Sequence, residues 1–322
     1  MKIYYTDHFD LPLPDGHRFP MGKYRRLRKH VVQSEHHLKD TLVVPPAATD
    51  DQLLSCHTNR YVDAVCNGNL SPKEIRRIGF PWSKKMVERS RRSTGATLAA
   101  SRAALTDGVS VNLAGGTHHA MRDAGEGYCV FNDAAVAIRA LQQEQLIGRA
   151  CVIDLDVHQG NGTAEIFAAD PTVFTLSIHG VKNFPLRKSP SDLDVNLEDG
   201  TSDQRYMCAL HDALQHMEKS GPYDLAIYLA GADPYEGDRL GRLSLSKQGL
   251  AERDITVMQW CLHHHLPLAI AMAGGYAPNV DDIVEIHGMT VQLASLHSRK
   301  VTREGSPINA DPNVLQNNQP KR

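Results

Sequence analysis

Ala150-Cys151-Val152-Ile153-Asp154-Leu155-Asp156-Val157-His158-Gln159-Gly160-Asn161-Gly162 is an apolar run that turns abruptly polar. Its first part, Ala150–Asp154, reads as a strand buried on both faces. Successive side chains of an extended chain alternate, so Asp154, Asp156 and His158 share one side while Leu155 and Val157 pack on the other. Two carboxylates and an imidazole then converge at a strand end. Burying uncompensated carboxylates is expensive, and a divalent cation relieves the cost.

The same pattern of apolar run followed by a polar, glycine-containing cluster recurs on either side. Strands are expected near Lys2–Tyr5, Val109–Leu113, Ala150–Asp154, Val173–Ile178, Leu225–Ala230 and Leu268–Met272. Helical periodicity falls between them, near Gly22–Leu38, Lys84–Leu105, Asp133–Leu146, Asp203–Lys219, Ser246–His264 and Asp281–Leu296. Alternation of this kind requires crossover connections, so the fold class is α/β, with a mostly parallel, doubly wound sheet and helices on both faces. Ligands of such sheets bind beyond the carboxyl ends of the strands. Four polar clusters stand there: Ala114–Ala120, containing His118 and His119; Asp154–Gly162; Ala230–Pro234, containing Asp233; and Ala273–Tyr276.

Asp156, His158 and Asp233 together make a three-ligand oxygen and nitrogen site with an open position, the layout of a catalytic metal. Zinc suits mixed ligands and low coordination best, with ferrous iron or manganese as alternatives. A metal lowers the pKa of its water to around 7 and polarises a carbonyl. His118 and His119 would flank that water as general base and as electrostatic or acid catalyst. Asp154 can accept from one imidazole and fix its tautomer. Tyr276, on a Gly-Gly turn, would donate its phenol to a developing oxyanion. Each motif alone is common; their conjunction, each at an expected strand terminus, points to metal-assisted amide hydrolysis.

Composition sets the frame. The 322 residues, 41% hydrophobic and 22% charged, suit one globular domain over 1–298, with 299–322 a polar, mobile tail. No apolar run approaches the roughly 18 residues of a membrane span, and no secretory signal opens the chain, so a cytoplasmic protein is expected. Six scattered cysteines without a CxxC pair suggest neither a disulfide framework nor a thiolate zinc site. A formal net charge of −2 gives no global attraction to nucleic acid or membrane. Lys23, Arg25, Arg26, Arg28 and Lys29 read as a solvated helix face, and Asp192, Asp194, Glu198 and Asp199 as a solvated loop.

GGTHHA (115–120), GYCVFNDAA (127–135), DLDVHQGNG (154–162), GADPYEGDRLGRLSLS (231–246) and AGGY (273–276) together resemble the motif series of the zinc-dependent histone deacetylase family, which has an arginase-like three-layer fold. The stretches RFPMGKYRRLR (18–28), GFPWS (79–83) and 177–203 are more similar to its class IV branch and bacterial relatives. The resemblance implies Asp156, His158 and Asp233 as zinc ligands, His118 and His119 as the tandem histidines, Asp154 behind the first of them, and Tyr276 as the transition-state tyrosine. It further implies Gly127, Tyr128 and Phe184 as walls of an acyl-lysine tunnel. A structural potassium ion would use Asp154, Ser177 and main-chain oxygens of Asp156, His158 and Ile178. Asn161 stands where class I members carry a second aspartate, which should leave His119 with a lower pKa. The implied substrates are acylated lysine, with chains of acetyl length or longer, or a small acylated amine such as an acetylpolyamine. No acidic gatekeeper for a polyamine is evident, and Glu236 is not placed as one. A non-catalytic scaffold would need none of the six converging residues, and arginase-type ureohydrolysis would need a second metal with more ligands.

Overall fold

The computed structural model describes residues 1–37 and 40–303. In chain order the elements are β1 (Lys2–Tyr4), α1 (Lys23–Gln33), β2 (Thr41–Val43), α2 (Asp50–Leu54), α3 (Asn59–Asn67), α4 (Pro72–Ile78), α5 (Lys84–Asp107), β3 (Val109–Asn112), α6 (Asp133–Gln143), β4 (Ala150–Asp154), α7 (Asn161–Phe167), β5 (Val173–Gly180), β6 (Leu193–Leu197), α8 (Asp203–Glu218), β7 (Leu225–Leu229), α9 (Lys247–His263), β8 (Leu268–Ala271) and α10 (Val280–Arg303). All eight strands run parallel in one sheet, in the order β2-β1-β3-β8-β7-β4-β5-β6. The α/β arginase-like architecture follows from this sheet and the helices on its two faces.

Strand alternation splits the core into two layers. Cys151, Ile153, Leu155 and Val157 join Ala226, Tyr228, Ile270 and Met272 against α1, α8, α9 and α10. Ala150 and Val152 join Leu225, Ile227, Leu229, Ala269 and Ala271 against α3, α5, α6 and α7. Apolar residues on both strand faces are what a parallel sheet between two helix layers demands. The strands that precede the four polar clusters, β3, β8, β7 and β4, are four neighbours at the centre of the sheet. Their carboxyl ends therefore deliver all four clusters to one place.

Five expectations are corrected. Thr41–Val43 and Leu193–Leu197 are strands that the search for apolar runs passes over; both lie at sheet edges and are half-buried, so neither needs a continuous apolar run. The acidic stretch is accordingly not a free loop: Asp194 on β6 accepts from Gln159 Nε2 at 2.8 Å, and Asp192 accepts from the Thr175 N–H at 2.8 Å. Lys23 is not solvated but 3% exposed, its Nζ donating to the carbonyls of Ala273 (3.3 Å) and Gly275 (3.4 Å). Around it, Arg28 pairs with Asp7, and Arg26 with Asp281, so the basic face is largely tied down. Helix α1 stops at Gln33, short of the expected end at Leu38, which lies outside the described residues. Helix α10 continues to Arg303, past the expected start of the tail; the prolines and asparagines that suggested the tail, from Pro307 on, also lie outside the described residues.

Candidate active site

The loop after β3 is built on glycine and held by one aspartate. Gly115 and Gly116 sit at φ of +82° and +73°, and a Cβ on Gly116 would fall 2.4 Å from Ala273, so the backbone approach needs glycine. Asp133, the first residue of α6, takes the Gly116 N–H (2.9 Å), the Thr117 N–H (2.7 Å), the Thr117 hydroxyl (2.7 Å) and the Thr97 hydroxyl (2.6 Å). Fully buried, it fixes the loop that carries the histidine pair. Asp133→Ala strands two N–H donors and the Thr97 hydroxyl, while the Thr117 hydroxyl can still donate to the Phe131 carbonyl, and it should lower unfolding free energy by about 3 kcal/mol or more, read from the urea midpoint. A loss under about 1 kcal/mol would show that the loop holds itself.

The rings of His118 and His119 lie tilted against each other with centroids 4.1 Å apart. His118 Nδ1 lies 2.7 Å from Asp154 Oδ2, and His119 Nδ1 lies 2.7 Å from Asn161 Oδ1. Burial alone would push both imidazoles down. For His118 the carboxylates of Asp154 and Asp156 outweigh it and hold the pKa up at about 9. His119, facing an amide rather than a carboxylate and sitting beside two imidazoles, goes well below the usual value. The pKa values of the adjacent histidines are thus driven in opposite directions. Asn161→Asp should raise the pKa of His119 and, where His119 is the base, move the acidic limb of kcat/KM to higher pH; profiles over roughly pH 6 to 10 read it, and an unmoved limb removes His119 from that role.

Asp156, His158 and Asp233 place one ligand atom each within 4.8 Å of one another, all buried. His158 Nδ1 is 2.9 Å from Asp156 Oδ1 and 3.2 Å from Asp233 Oδ2. Their other oxygens are taken by backbone: Gly274 N–H to Asp156 Oδ2 (2.8 Å) and Val157 N–H to Asp233 Oδ1 (2.9 Å). Asp233 Oδ2 is buried without a well-aligned hydrogen bond. Burial, reinforced by the charge of Asp156, pushes the Asp233 carboxyl up to about 6. The two carboxylates outweigh burial at His158 and hold its imidazole up at about 10. An acidic pair around one nitrogen, with an oxygen left over, fits a divalent ion.

Tyr276 closes the far side, its ring 6.1 Å from that of His158. Burial and the charges of Asp156 and Asp233 drive its phenol well above the ordinary value, which keeps it a proton donor. Its N–H donates to Asp238 Oδ2 (2.6 Å), while Asp238 Oδ1 takes the Leu240 and Gly241 N–H groups. Below, fully buried Arg253 donates to the carbonyls of Gly231 (2.7 Å) and Leu155 (3.3 Å), bracing the ends of β7 and β4. Spacing arguments do not single out Asp133, Asp238 or Arg253, although Asp133 and Asp238 lie inside the quoted motifs.

Gly127, at φ +54°, leaves room between His119 and Phe184: a Cβ there would meet the His119 ring at 2.7 Å and the Phe184 ring at 3.2 Å. The Phe184 ring stands perpendicular to His119 at 4.9 Å, and the Tyr128 ring is 6.1 Å from Tyr276. These residues line a mouth of about 470 Å³ that opens onto the surface. Asp154 and Ser177 are register neighbours on β4 and β5, and Ser177 Oγ lies 2.9 Å from His179 Nδ1. Glu236 is exposed and not among the residues lining the mouth.

A model of the histone deacetylase domain matches residues 17–290. The chain is 42% identical over 292 residues to an uncharacterized protein of Picosynechococcus sp., covering 91% of this chain and 97% of that one. It is 28% identical to histone deacetylase 2 of Arabidopsis thaliana, covering 86% of this chain and 74% of that one. A probable deacetylase of Methanothermobacter thermautotrophicus is 27% identical, covering 86% of both. The crystal structure of the HDA15 HD domain superposes with a TM-score of 0.77 over 96% of this chain and 97% of that one, at 19% identity, a likeness of fold.

Proposed function

Because the chain belongs to the histone deacetylase family, we propose that it hydrolyses the side-chain amide of acylated lysine in peptides or proteins, with a divalent ion, zinc before iron or manganese, held by Asp156, His158 and Asp233. The observation that carries this reading is the buried convergence of those three ligands beside two imidazoles and a phenol. When bound, the ion supplies Lewis acidity toward the amide carbonyl and makes nearby water more acidic. Water adds to the carbonyl carbon, the C–N bond breaks, and a carboxylate and a free amine leave.

The chain's own groups handle protons and position. His119, kept neutral by burial, is suited to take a proton from water; His118, held cationic by Asp154, is suited to stabilise negative charge and to return a proton to the departing amine. Tyr276, kept protonated, donates to the oxygen that gains charge. Gly127, Tyr128 and Phe184 guide the aliphatic stem of the lysine. A potassium ion beside Asp154 and Ser177, and a place in the class IV branch, belong to the same reading.

Charge at the mouth favours acyl-lysine over an acetylpolyamine. Arg76, Arg77, Lys182 and Arg242 line it, against Glu126, which pairs with Arg77, and Asp199, which pairs with Lys182 and Arg242, so a polycation meets a net positive rim. The test is a comparison of kcat/KM on zinc-loaded protein between acyl-lysine peptides and acetylated polyamines. The peptides should lead by about tenfold or more; a polyamine preference, or turnover that survives full chelation, overturns the proposal.

A further inference from the structure

The cavity of about 40 Å³ that Asp156, His158, Tyr276 and the histidine pair line also reaches Arg89, Ser93 and Tyr24. Arg89 is 8% exposed. Among the described residues its guanidinium has no hydrogen bond and no carboxylate partner; it lies over the rings of Phe19 (5.5 Å), Tyr24 (5.1 Å) and Phe80 (5.8 Å). A guanidinium is a permanent cation with five donors, and leaving such a charge buried without an acceptor is costly. Ser93 stands one helical turn beyond Arg89 on α5 and presents a second donor to the same cavity. Lys23 adds a buried cation nearby, 5.3 Å from the Tyr24 ring and 5.5 Å from the Tyr276 ring, with only carbonyls as partners. The inner end of the site is therefore donor-rich, cationic and short of acceptors. The one carboxylate on its wall, Asp156, is a metal ligand.

We propose that Arg89 receives the terminal carboxylate of a short dicarboxylic acyl group, so that the preferred substrates are lysines acylated by four- or five-carbon diacids, of the succinyl and glutaryl type. This rests on the acyl-lysine reading above and names its substrate class. Geometry and chemistry agree. With the scissile amide at the metal ligands, the acyl chain points past Tyr276 into the cavity. The cavity is small, which favours a short spacer ending in a carboxylate over a long aliphatic chain. Guanidinium and carboxylate match in shape and charge, and their hydrogen bonds are stronger than neutral ones. Hydrolysis of such a substrate releases the free diacid and the lysine amine.

The experiment compares kcat/KM of zinc-loaded protein for one lysine peptide bearing acetyl, butyryl, succinyl, glutaryl, or the uncharged amide of the succinyl group. The succinyl or glutaryl peptide should exceed both butyryl and the uncharged isostere by about tenfold or more. Arg89→Met should abolish that ratio, and Arg89→Lys should restore part of it. The ratio within each variant separates substrate recognition from any loss of packing against the three rings. Equal rates for the charged and uncharged acyl groups, or an Arg89→Met variant that slows every substrate alike, overturn the proposal. So does inhibition by the released acid that depends on Arg89 without any acyl preference, since Arg89 would then hold product only. Acetyl-lysine hydrolysis without a diacid preference defeats this inference alone; no metal-dependent turnover of any peptide defeats the underlying reading as well.

Discussion

Replacing Asp156 with asparagine is expected to lower kcat/KM for an acyl-lysine peptide by about a thousandfold or more, because a ligand of the reacting centre is lost and outer partners alone account for 10–100-fold. Asp156 is central by contact: its Oδ1 faces His158 Nδ1, its Oδ2 takes the Gly274 N–H, and His118 Nε2 is 3.9 Å away. The imidazoles of His118 and His158 outweigh burial and hold the Asp156 carboxyl well below its ordinary value, so the strain of the metal-free site falls on its partner Asp233. Asp233 is pushed up to about 6 from an ordinary 3.8 by burial and by Asp156, so the folded chain holds that proton more tightly than the unfolded chain. The stability this group contributes is complete below its unfolded pKa and is lost as pH rises through about 6. Asp233→Asn should therefore melt higher than its metal-free parent by a margin that grows across that window, and zinc should reverse the order. A margin that shrinks with rising pH would contradict the charge arrangement described for the ligands.

Tyr276→Phe carries the second large effect, a fall in kcat of about 10²–10³-fold with KM little changed, as for removal of one oxyanion donor. The ring keeps its neighbours Phe19, at 6.2 Å, and Tyr128, at 6.1 Å, and the backbone keeps its bond to Asp238, so the change isolates the phenol. A fall in kcat below about tenfold would move oxyanion stabilisation to His118.

Much of this arrangement is legible in the sequence because it is local. Period-two alternation through Asp154-Leu155-Asp156-Val157-His158 puts Leu155 and Val157 in one core layer and leaves the acidic side to the site. The four polar clusters are legible as strand ends, and strand order, which only the folded chain supplies, brings them together. What stays hidden is set by long-range partners. Lys23 lies in a basic run that reads as solvated, yet its partners are the carbonyls of Ala273 and Gly275. Arg89 looks like any arginine of a polar helix until the cavity beside it is seen. The edge strand Leu193–Leu197 does alternate, with Leu193, Val195 and Leu197 packed on the core, but Asp192, Asp194 and Glu198 mask it. Helices α2 and α4 carry capping boxes, Thr49 with Gln52 and Ser71 with Glu74, that a search for long periodic runs does not use.

Calorimetric titration of chelator-treated protein with zinc tests most directly whether one divalent ion binds among Asp156, His158 and Asp233. About one ion per chain should bind, and the Asp156→Asn/Asp233→Asn double variant should lose that uptake while remaining folded. Equal uptake by parent and double variant, or none by a folded parent, would contradict it.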